Sequence, residues 1–339
     1  MSGSEPMVLD GASVRGIDVH DDVVLRAWYD TTRVAEVAGR AEPQVFSYES
    51  LRASLRDPNP DYRRIPYAAF DGATIVGTLL VGLPQRDNTH LADVAVHVPV
   101  DRRGRGVGSA LLAHAERIVT DAGRTTVTAE AFVPAGVDAA DWPGARFGHR
   151  HGFSTEHQED HLVLDLPAAG VVPGPVPGYD VVSWVGGCPD EYVEGYAAMR
   201  TRMEQDVPSG TLDVQPGHWD AARVQTSERR LAAQGYTPVT SAARRVGGEF
   251  AGYSQVLVPE HDPGQVYQED TLVMPEHRGH GLGGALKAAN LRILSERWPD
   301  RRRLHTWTAG TNAAMHHVNT AFGFRVVETL HELQRRLPA

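Results

Sequence analysis

The 339-residue sequence predicts a mixed α/β chain folded as two similar domains in tandem. Three observations lead there: a long internal repeat, a proline- and glycine-rich joint near the midpoint, and a glycine-rich turn between strand and helix in each half. The repeat is read first. Gly77 and Gly252 each follow a hairpin turn and lie 175 residues apart. The runs Arg103-Gly104-Arg105-Gly106-Val107-Gly108 and Arg278-Gly279-His280-Gly281-Leu282-Gly283 keep that spacing of 175. Gly152-Phe153 and Gly323-Phe324 follow at 171, so three features recur in one order, as a duplication requires. At the joint, residues 167–178 hold four prolines and three glycines, which preclude a helix or a central strand. The expected organisation is a domain over 1–166, a linker over 167–178 and a domain over 179–339.

Each half reads alike along the chain. Helical spacing of apolar residues over 22–37 and 191–203 opens the halves, with a second helix after each. Strands are expected at 67–70, 74–83 and 91–98, and again at 241–246, 249–258 and 266–273. The glycine-rich turn then opens an amphipathic helix. Its apolar residues are Val107, Leu111, Ala115 and Ile118, or Leu282, Leu286, Ala289 and Ile293, and their spacing puts each set on one side. A strand at 125–132 or 303–308, a short helix ending in Gly-Phe and a last strand complete each half.

Composition bounds the function. Hydrophobic residues make up 41% and charged residues 22%, as in globular proteins, and no apolar run reaches the ~18–20 residues a bilayer needs. The opening residues lack the basic and apolar blocks of a secretory signal. One cysteine, Cys188, excludes an intrachain disulfide and fits a reducing compartment, so a cytoplasmic location is expected. A net charge of -10 disfavours nucleic-acid binding, and Arg301-Arg302-Arg303 reads as a solvated run. The pairs His149/His151 and His316/His317 lack the spacing of a zinc helix, so no metal is expected. Cys188 has no local histidine to activate it.

The glycine-rich turns carry the chemistry. A strand that ends in a tight turn and starts a helix presents unpaired N–H groups at the positive end of the helix dipole. Glycine lets the backbone approach a pyrophosphate closely, and Arg103 and Arg278 are placed to add charge-assisted hydrogen bonds. Neither copy ends in the Gly-Lys-Ser/Thr of a nucleotide-triphosphate loop. Gly279, Gly281 and Gly284 match a dinucleotide fingerprint, but Ser109 breaks it in the first copy and the acidic residue expected about 20 residues on is missing.

Arg-x-x-Gly-x-Gly after a strand, at Arg103 and Arg278, resembles the acyl-CoA motif of GNAT N-acetyltransferases. Asn312-Ala313-Ala314-Met315-His316-His317-Val318-Asn319, leading to Gly323-Phe324, is similar to the fourth-helix segment of tandem members of that family. Actinobacterial two-domain acetyltransferases such as mycothiol synthase share the arrangement. The resemblance implies two tandem GNAT domains that use acetyl-CoA and transfer its acetyl group to a small-molecule primary amine directly, within a ternary complex. It further implies that the fourth and fifth strands of each domain splay around the pantetheine arm. Backbone N–H near Val273 would polarise the thioester, residues Arg278, Gly279, His280, Gly281, Leu282, Gly283 and Gly284 would hold the pyrophosphate, and Asn312 and Asn319 would bond the arm. In the first half, Val98, Arg103, Gly104, Arg105, Gly106, Val107, Gly108 and Ser109 are the matching cofactor residues. Asn312 reads equally as a helix cap.

For the base that deprotonates the amine, the candidates are Glu269 and Asp270 on the fourth strand. Alternation places them on opposite faces, so one faces the cleft. The first half has Val94 and Ala95 there, and Asp93 matches Glu269 only through a one-residue bulge. Many family members return a proton to the thiolate from a tyrosine, but here that position is Gly148 or Asn319, leaving solvent, His316 or His317. The second half is therefore expected to catalyse and the first to bind without turnover or to support the fold. The alternatives are a non-catalytic acyl-CoA sensor and acetyl transfer to a protein.

Overall fold

The computed structural model describes residues 8–9, 12–170 and 173–337. The chain divides into two compact units, and each is a mixed sheet between helical layers. Unit 1 comprises residues 1–158, 209–215 and 328–339, and unit 2 comprises 159–208 and 216–327.

In unit 1 the strands are β1 (Val8–Leu9), β2 (Ala12–Gly16), β3 (Tyr62–Asp71), β4 (Thr74–Pro84), β5 (Leu91–His97) and β6 (Thr126–Pro134). The helices are α1 (Asp22–Glu36), α2 (Tyr48–Arg56), α3 (Val107–Asp121) and α4 (Pro143–Arg150), after which the chain enters β7 (Ser154–Asp165). Neighbouring strands from β1 to β5 are antiparallel, and β5 and β6 are parallel. Successive residues of β4 point to opposite faces. Leu79 joins the α3 core with Leu111 and Ala115, and Leu80 packs with Leu25 and Trp28 of α1. Trp28 is core and donates its indole N–H to the Tyr67 carbonyl at 2.8 Å.

Unit 2 repeats the plan. Its elements are β8 (Tyr179–Val185), α5 (Val193–Asp206), α6 (Ala221–Ala233), β9 (Tyr236–Arg245), β10 (Phe250–Pro259), β11 (Gln265–Val273), α7 (Leu282–Arg297), β12 (Arg303–Ala309) and α8 (Ala313–Phe322), followed by β13 (Arg325–Arg336). The helix α7 buries Leu282 and Leu286 on one face of the sheet, and α5 buries Tyr196 and Met199 against Tyr253 and Leu272 on the other. The arginine run after α7 is not wholly solvated. Arg301 is buried, and its guanidinium donates to the Asp262 carbonyl at 2.8 Å.

The units do not follow the halves expected from the linker. Residues 328–336 of β13 pair with β6 and belong to unit 1, and residues 159–165 of β7 pair with β12 and belong to unit 2. Each half of the chain gives its last strand to the other unit. β7 buries a continuous run at residues 161–164 and β13 buries scattered positions, and neither pattern names the sheet that receives the strand. A second crossover places residues 209–215, between α5 and α6, in unit 1. There Asn88 and Gln215 exchange two hydrogen bonds, at 3.0 and 2.7 Å, and His90 bonds the Asp213 carbonyl at 2.8 Å.

Candidate active site

Both glycine-rich turns join a strand to a helix N-terminus through one 3-10 turn, at Val100–Arg102 and Pro275–His277. Gly104 and Gly106 have φ of +74° and +81°, and Gly279 and Gly281 have +81° and +79°. That left-handed conformation costs an L side chain roughly 1–2 kcal/mol, so glycine is required. A Cβ built at any of the four meets nothing within 4 Å, so the space before the turn is open. Neither α3 nor α7 has a side-chain cap or an acidic residue in its first turn. The first N–H groups and the positive dipole end are left to an anion, which fits the pyrophosphate of acetyl-CoA.

The residues of the turns divide their roles. The Nε of Arg103 donates to the Val98 carbonyl at 3.0 Å, and Arg278 does the same to Val273 at 3.1 Å. Each arginine therefore braces its loop to the strand end. The Arg278 guanidinium also reaches Asp206, whereas Arg105 is exposed. Val107 and Leu282 are buried, so only their backbone faces the loop. Ser109 bonds His151 at 3.1 Å, and a Cβ on Gly108 would stand 3.1 Å from the Phe147 ring. Gly283 faces Thr271 and Val273, Gly284 lies under Pro173 of the linker, and the His280 ring sits 5.8 Å from that of Tyr179.

The parallel strands splay in both units. Only Leu91–Asp93 of β5 pairs with Thr126–Thr128, although β5 continues to His97. Only Gln265–Tyr267 of β11 pairs with Arg303–His305, although β11 continues to Val273. Beyond these pairs the facing strand edges are free of each other, as a threaded acyl arm requires.

In unit 2 a β-bulge changes the expected placement of the acids. Ser254 pairs with Thr271 but Val256 pairs with Gln268, so Glu269 and Asp270 both oppose Gln255. Alternation is interrupted, and both acids stand on the α5 side instead of on opposite faces. Asp270 accepts a 2.7 Å hydrogen bond from the Tyr253 hydroxyl and lies 3.6 Å from Arg200. Glu269 is exposed by its accessible surface, yet surrounding protein and then Asp270 push its carboxyl up to about 7. An exposed group that is also desolvated sits in a cleft, not on a convex surface. Arg200 stacks on Trp219 at 3.9 Å and bonds the Tyr196 hydroxyl at 3.4 Å. Sequence reasoning missed Arg200, although it sits in line with Val193, Tyr196 and Ala197 on the buried stripe of α5.

The bulge is absent from unit 1, where β4 and β5 pair in unbroken register and Asp93 opposes Gly82. Its counterpart is Tyr267, which opposes Leu257, so the match of Asp93 to Glu269 fails. Asp93 instead accepts hydrogen bonds from Tyr62 and Thr128. A cavity of about 1190 Å³ runs from the unit 1 glycine turn past β5, β6 and α4 to the end of α1. Glu36, Arg40 and His97 line it, and no motif announced them.

The asparagines do internal work. Asn312 caps α8, accepting from the Met315 N–H at 3.1 Å. Asn319 is fully buried and donates to Thr308 at 3.0 Å, while its Oδ1 has no hydrogen-bond partner among the described residues. Gly148 is packed so closely that a Cβ would come 2.5 Å from the Leu333 side chain. His316 sits 3.7 Å from Asp160. The Cys188 thiol is pushed up to about 12 by burial, then by Glu228 and Asp190, which removes it as a nucleophile.

The model of the acetyltransferase (GNAT) family matches residues 25–148 and again 208–324. Mycothiol acetyltransferase of Streptomyces scabiei is 26% identical over 156 residues, covering 44% of this chain and 48% of the relative. Mycothiol acetyltransferase of Streptomyces griseus is 34% identical over 92 residues, covering 27% of each chain. The chain thus spans about half or less of the curated relatives it matches. A tandem GNAT protein from the clavulanic acid biosynthesis pathway, solved without acetyl-CoA, superposes with a TM-score of 0.82 at 29% identity, over 97% of this chain and 99% of that one. A GCN5-related N-acetyltransferase from Sphaerobacter thermophilus shares the fold at a TM-score of 0.69 and 15% identity, over 97% of both chains. With two turns, two splayed sheets and two matches to one family model, the chain belongs to the GNAT family of acetyltransferases and carries its fold twice.

Proposed function

We propose that unit 2 moves the acetyl group of acetyl-CoA to a primary amine of a small molecule, directly within a ternary complex, with Glu269 as the base. The bulge at Glu269 and Asp270 carries this reading. It brings both acids to one side, where Asp270 is held by Tyr253 and Arg200 and Glu269 is left accessible. Acetyl-CoA would lie with its pyrophosphate on the turn from Arg278 to Gly284 and its arm along the free edge of β11 near Val273. The bound cofactor supplies the activated acyl group. Glu269 takes one proton from the ammonium and frees the nitrogen lone pair to attack the thioester carbonyl. The C–N bond forms, the C–S bond breaks, and the second amine proton goes to the departing thiolate. No tyrosine stands at the expected place, so solvent returns that proton. The relatives named for mycothiol support a small acceptor, and the single half-buried thiol fits a reducing cytoplasm.

Glu269→Gln tests the assignment. Loss of a positioned base is worth about 10²–10⁴ in rate. The expected result is kcat down about 100-fold or more with acetyl-CoA affinity retained. In the wild type, turnover rises with pH through about 7 as the Glu269 carboxyl ionises, and the variant loses that limb. Unchanged kcat in Glu269→Gln overturns the choice of base.

A further inference from the structure

We infer that unit 1 is a second acyl-transfer site, in which Glu36 receives the proton of a cationic amine. This rests on the acetyl-CoA reading above but concerns a different cleft. The cavity comes first. At about 1190 Å³ it exceeds the ~300–1,000 Å³ of sites for drug-sized ligands, and it is continuous from Gly106 and Ser109 to Glu36 and Arg40. It therefore has room for an acceptor at one end and a cofactor at the other. The splay of β5 from β6 opens into the same space, since Val96 and Phe132 beyond the last pair line it.

A charge count gives the chemistry at the far end. Arg40 faces two carboxylates and satisfies only one. Its guanidinium donates to Glu328 at 2.8 and 2.6 Å, and both side chains are almost fully buried. The Phe132 ring covers that guanidinium at 4.2 Å. Glu36 is left 4.0 Å from Arg40, with 24% of its side chain accessible in the cavity wall. His97, from β5, adds no positive charge, because burial and then Arg40 push its imidazole down to about 4. With both acids ionised, Glu36, Glu328 and Arg40 sum to one negative charge, which an ammonium entering the cavity offsets. Desolvation, against the pull of Arg40, raises the Glu36 carboxyl to about 7, so it exchanges a proton near neutral pH. The amine, having given one proton to Glu36, attacks the thioester carbonyl. A C–N bond forms, the C–S bond breaks, and the remaining proton leaves with the thiol.

The test uses the full-length chain as wild type, Glu36→Gln, Glu269→Gln and the double variant. Thiol release from acetyl-CoA is followed with a panel of primary mono- and diamines between pH 6 and 9, and acetyl-CoA stoichiometry is measured by calorimetry. Two equivalents of acetyl-CoA are expected. Glu36→Gln lowers kcat about 100-fold for the acceptors that survive Glu269→Gln, with the melting temperature and cofactor affinity held. Glu36→Asp restores part of that rate, and the double variant is inactive. If Glu269→Gln alone abolishes all turnover and Glu36→Gln changes nothing, the inference fails and the reading of unit 2 stands. If only Glu36→Gln abolishes turnover, the inference stands and the choice of unit 2 fails. No thiol release by the wild type across the panel, or full activity in the double variant, overturns both.

Discussion

Replacing Lys287 by leucine should stabilise unit 2, by an amount that falls as pH rises. Lys287 lies on α7, is 3% exposed, and has Leu112 as its counterpart 175 residues earlier in α3. The same repeat position is therefore built once with an apolar side chain and once with an amine. Burial pushes the Lys287 ammonium down from 10.5 to about 7. The sign follows from linkage: a depressed lysine penalises the folded state below its folded pKa, and the penalty fades as pH rises toward the unfolded value. At about 1.4 kcal/mol per pKa unit, the penalty is roughly 5 kcal/mol at pH 6 and roughly 2 kcal/mol at pH 9. A leucine removes it. In a unit of this size the gain at pH 6 corresponds to about 10 °C or more in melting temperature. Scanning calorimetry of wild type and Lys287→Leu at pH 6, 7.5 and 9 reads the effect, with Lys287→Met as a check on shape. A loss of stability at pH 6, or a gain of equal size at all three pH values, refutes the reasoning.

Two further outcomes follow. Valine at Gly106 or at Gly281 places a β-branched residue at φ near +80°, so each change should remove one equivalent of acetyl-CoA in calorimetry; two equivalents retained in both variants would show that the turns are not the cradle. Leu111→Ala deletes a fully buried side chain at the centre of the unit 1 core and should cost about 3–5 kcal/mol, read from urea unfolding; a cost under about 1 kcal/mol would mean that α3 does not anchor the sheet.

What the sequence made legible was what repeats or what glycine enforces. The two turns, the central helices and the paired Gly-Phe ends lie where spacing put them, because positive φ and helical periodicity leave a mark in composition. The expected strands at 67–70 and 241–246 proved to be only the ends of β3 and β9, which begin at Tyr62 and Tyr236. The early residues of β3, Arg63 and Arg64 among them, are too polar to read as a buried strand, and Pro238 interrupts the reading of β9. Register left no mark at all. The bulge that brings Glu269 beside Asp270 is a one-residue mismatch between strands, invisible until Ser254 and Val256 have their partners. Glu36 and Arg40 escaped notice for another reason. Their third member, Glu328, is 288 residues from Arg40, beyond any local pattern.

The exchange of last strands sets an order of events for the chain as it is made. Residues 328–336 complete the sheet of unit 1, and they follow almost all of unit 2 in the sequence. Unit 1 begins first and finishes last: β6 waits for its neighbour until almost all of unit 2 has been synthesised. The N-terminal half therefore lacks one strand of the sheet it builds, and the long-range pairing of β6 with β13 falls among the slow steps that high sequence separation imposes. A gene cut at the linker would encode two fragments, each carrying a strand meant for the other.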